Sequence, residues 1–207
     1  MSTADLVAEV QDGAPARRLA ALSVIDLAEV SPSTIEDWIR TLPDPEANEL
    51  AGAIPAQRPG ASCQEDLRWV EVARLGYERR RLPTFLVMLF SSLEAMEARE
   101  CAEAAQVWER IADWLADLYE RIADRDDYES LDDIALFVFE NYLDRDAIFE
   151  AFCSIVSQNE RLAIQVSTNP LLFLADLPPA RQRAVLEEAE RAGGLPLRQS
   201  WESLTEF

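Results

Sequence analysis

The sequence predicts an all-α protein, a multi-helix bundle of roughly seven to nine helices with no sheet. Apolar residues recur at three- and four-residue intervals along most of the chain, and no stretch alternates with period two beyond a few residues. Helix start and stop signals punctuate those periods. The 207 residues are 49% hydrophobic and 28% charged, outside the disordered regime and enough for one sizeable core or two small ones.

Ala16–Val30 reads as a first helix, and Ser31 with Pro32 ends it and caps the next, Ser33–Thr41, which turns Trp38 and Ile39 inward. Residues 1–42 thus form an N-terminal helical segment. Residues 43–61 hold Pro43, Pro45, Pro55, Pro59, Gly52 and Gly60, which marks a linker with room for one short helix near Glu46–Leu50. The main bundle is expected over 62–194. Ser62 with Glu65 makes a capping box opening a helix to about Arg81, and Pro83 starts another through Phe85–Phe90 toward Glu97.

Ala102–Ala123 has the clearest pattern, with Val107, Ile111, Trp114, Leu115, Leu118 and Ile122 in one stripe. Ser130 with Asp133 reads as a capping box for Leu131–Leu143, apolar on nearly every side and so expected to be covered by neighbours. Asp144 or Asp146 is positioned to cap Ala147–Ser157, with Phe149, Phe152 and Ile155 in its core. Pro179–Ala192 forms a further helix that Gly193-Gly194 ends. The tail, 195–207, has Trp201, Leu204 and Phe207 at three-residue spacing: a docking helix, or one that packs back on the bundle. No unit near 34 residues recurs.

Composition excludes several chemistries. There is no histidine, and all 19 positive charges are arginine. No Ser-His or Cys-His relay, imidazole ligand, Schiff-base lysine or phosphate-loop lysine can be built. The formal charge of −20 opposes nucleic-acid backbones and anionic membranes. Cys63, Cys101 and Cys153 are odd in number and widely spaced, so neither a disulfide framework nor a zinc site is expected. The first ten residues carry Asp5 and Glu9 and no basic residue, unlike a secretory signal, and no apolar run exceeds six residues. These features point to a reducing cytoplasm.

Acidic residues concentrate between Glu94 and Glu150, where 18 acids face 5 arginines. Glu109, Asp113, Asp117, Glu120 and Asp124 fall on the helix face opposite the apolar stripe. Asp126, Asp127, Glu129 and Asp132 continue the run. Like charges at i,i+4 cost about 0.2–0.5 kcal/mol per pair, and three such pairs occur here, with Asp117–Arg121 offsetting part of that. The expected role is electrostatic docking of a basic protein surface by these nine residues, without catalysis, metal or cofactor. Homo-oligomerisation is left open. The four arginines Arg74, Arg79, Arg80 and Arg81 are expected to terminate their helix and pair internally with the acidic stripe.

A calcium loop starting at Asp124 fails, with Glu129 at position six and Ala135 at position twelve. Glu100-x-x-Glu103 and Glu129-x-x-Asp132 resemble the paired carboxylates of the magnesium-dependent all-α nucleotide pyrophosphohydrolases, which implies hydrolysis as an alternative. The Ser130 box, however, leaves Glu129 outside its helix. Leu118-Tyr119 followed by Leu131-Asp132-Asp133-Ile134-Ala135 resembles redox-enzyme maturation chaperones, with Asp133 in place of the histidine of their Asp-His-Leu-like step. That resemblance implies a client peptide held in an apolar groove between helices. The acidic character also resembles, in general terms, small bacterial immunity and inhibitor proteins.

Overall fold

Helix follows helix from Thr3 to Thr205, and no strand occurs among the described residues, so the chain is all-α. The computed structural model describes residues 1–53, 62–125 and 127–205. Two compact units, Met1–Ala104 and Ala105–Phe207, divide within the stretch 62–194 that the sequence groups as one bundle.

The first unit opens on α1, Thr3–Asp12, a helix the sequence reading omits. Its signal is present all the same: Ser2 and Asp5 form a reciprocal capping box, and Leu6 and Val10 are buried one turn apart. Helix α2 spans Pro15–Leu22 and stops well short of Val30, with a single 3-10 turn at Leu27–Glu29 beyond it. Helix α3 runs Pro32–Thr41 behind Ser31, whose hydroxyl accepts from the Thr34 amide. Helix α4, Asp44–Ala53, occupies the first half of the expected linker and buries Ala47, Leu50 and Ala51. Its second half, 54–61, lies outside the described residues.

Helices α5, Cys63–Arg80, and α6, Pro83–Ala98, fold back on each other as a hairpin. Arg81 makes the corner in the left-handed region, at φ 55°, with its amide donating to the Tyr77 carbonyl. Gly76 lets the two helices close up: a Cβ there would lie 2.3 Å from the Phe85 ring. Because the two arms are nearly equal, the head of α5 meets the tail of α6. Cys63 and Cys101 are thereby brought to a Cα separation of 5.8 Å and form a disulfide. This corrects the expectation that the cysteines stay unpaired; a 38-residue spacing is the contour of a hairpin, which no short-range cysteine motif reports. Beside the bridge, fully buried Asp66 accepts from Arg99 Nε at 2.9 Å.

The arginine patch pairs differently from the expectation. Arg74 bonds Glu71 and Glu78 on its own helix. Arg80 donates to the carbonyls of Ile39 and Leu42 and to Asp44, closing the orphan C-terminal carbonyls of α3. Arg80 and Arg81 thus serve carbonyls at the ends of α3 and α5, while Arg74 pairs with carboxylates of its own helix.

The second unit consists of α7 (Ala104–Ala123), α8 (Tyr128–Asp133), a π-helical segment (Ile134–Phe139), α9 (Glu140–Tyr142), α10 (Asp146–Gln158), α11 (Glu160–Thr168), α12 (Pro170–Leu174), α13 (Pro179–Arg191) and α14 (Leu197–Thr205). Helices α11 and α12 are additional to those expected, as Asn159 caps one and Pro170 starts the other. Such splits raise the helix number above the seven to nine expected. An aromatic file runs through the core: Tyr119 to Phe139 to Phe152 to Phe173, with ring centroids 6.1, 4.6 and 6.2 Å apart.

Two caps are corrected here. Asp127, not Ser130, caps α8, its carboxylate accepting from both the amide and the hydroxyl of Ser130. Ser130 is buried inside the helix, where a cap has no access to solvent-facing amides. Neither Asp144 nor Asp146 caps α10: Arg145 stands at that position and Asp146 is already helical. The expected Leu131–Leu143 helix is α8, the π segment and α9 in succession, and Leu136 is 48% exposed, not covered. Tail helix α14 packs back on α12 and α13, with Leu204 buried and Arg183 over the Trp201 ring.

Candidate docking groove

Helix α7 presents its acids as its periodicity requires. Val107, Trp108, Ile111, Leu115, Leu118 and Ile122 are buried, whereas Glu109, Asp113, Asp117, Glu120 and Asp124 are exposed. The acidic face is not flat, however. It forms one wall of a groove between α7 and α10.

The groove is made of two abutting clefts. One, of about 230 Å³, is lined by Glu109, Ala112, Asp113 and Ala116 of α7 and by Ala147, Glu150, Ala151 and Ser154 of α10. The other, of about 400 Å³, continues past Ala116 and Ser154. Its walls are Asp117, Glu120, Ala123 and Asp124 opposite Ile155, Gln158 and Asn159. Alanines keep the space open because a methyl group cannot fill the gap between two helix backbones. Among the described residues six carboxylates line the two clefts and no arginine does. Among the five acids Glu109, Asp113, Asp117, Glu120 and Asp124, only Asp117 has a described ion pair, with Arg121 Nε at 2.9 Å.

The rest of the predicted set separates from the groove. Asp126 lies outside the described residues. Asp127 is occupied as the α8 cap. Asp132 pairs with Arg161 at 3.4 Å, and Glu129 is exposed on α8. Behind them, Asp133 is half-buried, and its carboxyl is held above the usual carboxylate range first by burial, then by the charges of Glu129, Asp127 and Asp132. Burial also raises the Tyr119 hydroxyl at the inner edge of the groove.

The sequence reading misses the α10 wall. A signal for it exists: Ala147, Ala151, Ser154 and Gln158 are small or polar and share one face at 4, 3 and 4 spacing, opposite the buried Ile148, Phe152 and Val156.

The paired-carboxylate pattern is rearranged. Glu129 and Asp132 both lie on α8, one turn apart, so the expectation that Glu129 stands outside its helix is overturned by the Asp127 cap. Conversely, Glu100 takes the left-handed conformation at φ 55° and Glu103 sits in the turn before α7, so they share no helix face. Among the described residues no group of three or more acidic, cysteine or histidine side chains gathers as a metal site. No helix among them is long and apolar enough to cross a membrane. No protein-family model, curated protein or solved structure matches the chain.

Proposed function

We propose that the chain is a non-enzymatic binding module, an inhibitor, immunity or adaptor protein, that docks a basic segment of another protein into the α7–α10 groove. The carrying observation is the lining of that groove: carboxylates on both walls, small side chains at the floor, and no arginine among the described residues along its length. A merely solvated acidic face needs no concavity. Here Glu150 on α10 stands across from Glu109 and Asp113, an arrangement that costs repulsion in the free protein and repays it when a cation enters. Such a site accelerates encounter with a positively charged partner and loses affinity steeply with salt. Neither nucleic acid nor membrane suits a chain of charge −20.

A cytoplasmic location is the companion expectation from sequence. The Cys63–Cys101 bridge weighs toward a compartment that keeps thiols oxidised. Acid trapping of thiols in freshly broken cells reads the redox state directly.

The test is affinity capture from the native cell at ~50 mM salt with elution at ~500 mM, using wild-type bait beside bait carrying Asp113→Asn with Asp117→Asn. One stoichiometric basic protein released by salt and missing from the variant is the expected result. Equal retention by both baits refutes docking through the groove. The variant's thermal stability should be unchanged or higher, because Asp113 faces like charges at Glu109 and Asp117.

A further inference from the structure

A second cleft, of about 410 Å³, lies within the Ala105–Phe207 unit between α9 and α12. Its floor is apolar: Leu143, Phe173 and Leu177 are buried there. Two leucines on its α12 side, Leu171 and Leu172, stand 40% and 43% exposed although they belong to a helix of five residues. Leaving two adjacent leucines of one cleft in water costs free energy that burial under a partner would recover.

The rim carries the opposite chemistry. Glu140, Asp144 and Asp176 line the same cleft, and no arginine among the described residues does. Asp144 has Arg145 at 4.0 Å, while Glu140 and Asp176 form no ion pair among the described residues. The adjacent Arg181 is engaged, donating to the Leu143 and Asp144 carbonyls and pairing with Asp146.

We infer that this cleft binds an amphipathic segment of a partner protein whose apolar anchors are flanked by arginine or lysine. The apolar floor takes the anchors, and the carboxylate rim takes the flanking cations. Charge complementarity selects this occupant. A second copy of the chain would set Glu140, Asp144 and Asp176 against their own duplicates, six carboxylates around one apolar contact. The volume suits a few side chains and not a whole helix face. The inference is independent of the α7–α10 groove, with which the cleft shares no lining residue.

The experiment uses the full chain and two labelled synthetic peptides of ~12 residues and identical leucine and arginine composition. In the first, leucines recur at three- and four-residue spacing between arginines; in the second, the same residues are dispersed. Binding is read by fluorescence anisotropy. Expected is binding of the first peptide at least ~10-fold tighter than the second. Leu171→Ser with Leu172→Ser should weaken the first peptide ~10-fold. Glu140→Gln with Asp176→Asn should weaken it several-fold and flatten its salt dependence. Asp113→Asn with Asp117→Asn should leave it unchanged, which separates this cleft from the groove. All substituted residues are exposed, and circular dichroism checks each fold. Equal affinity for the two peptides, no binding of either, or indifference to the leucine substitutions overturns the inference.

Discussion

Reducing the Cys63–Cys101 bridge should loosen the Met1–Ala104 unit far more than the Ala105–Phe207 unit. The bridge closes a sequence separation of 38, spanning the whole α5–α6 hairpin. Loop-closure entropy for a segment of that length corresponds to about 4 kcal/mol at 25 °C, an upper figure because a reduced hairpin keeps residual structure. For a unit of about 100 residues each kcal/mol moves the midpoint by roughly 4–8 °C. A drop of up to about 16–32 °C is therefore expected on adding reductant, less to the extent that the reduced hairpin keeps structure.

Hydrogen exchange read by mass spectrometry localises the effect: α5 and α6 should lose protection while α10, α11 and α13 keep theirs. Thiol titration supplies the control. Cys153 is half-buried, and its thiol is pushed up to about 11 chiefly by burial, so the native protein should react little at neutral pH. Denatured without reductant, the chain should yield one thiol, and denatured with reductant, three. Three thiols in the unreduced denatured chain would refute the bridge. A midpoint shift below ~3 °C, with reduction verified, would refute its energetic weight.

Gly76→Ala should destabilise by about 1–3 kcal/mol, since its Cβ would enter the buried Phe85 ring at 2.3 Å; a stabilised variant would show that the hairpin relaxes enough to use alanine's helix propensity. Arg99→Met should cost about 2 kcal/mol by removing the guanidinium donor from buried Asp66, and Asp66→Asn on that background should recover part of it; denaturant melts read both. Asp133→Asn should raise the melting temperature at pH 7. The Asp133 carboxyl is held above its ordinary range, so its ionised form opposes folding; as pH falls through the raised folded value to the unfolded value the carboxyl protonates and the variant's advantage disappears. A variant less stable at pH 7 would contradict the raised value.

Much of this fold was legible because helices report themselves locally. The α7 stripe at three- and four-residue spacing set both its buried face and its acidic face, and the structure places Glu109, Asp113, Asp117, Glu120 and Asp124 in solvent accordingly. The signals that misled were also local. Ser130 with Asp133 has the spacing of a capping box, but Asp127 lies three residues earlier and takes the Ser130 amide itself. The paired carboxylates were misread for the same reason, because shifting one cap moved Glu129 into its helix.

By itself, the sequence determined the helical class, the inward and outward faces of the long helices, and the absence of imidazole and lysine chemistry. Only the tertiary structure decided that the acids line a groove, that Cys63 meets Cys101, and that Leu171 and Leu172 stay uncovered in a cleft with Glu140 and Asp176. The physical reason is range. Hydrogen bonding and side-chain periodicity act within a turn or two and are written in neighbouring residues. A groove or a disulfide depends on which helix lies alongside which, and that follows from the summed packing of residues far apart in the chain, such as Gly76 against Phe85 and Phe139 against Phe152.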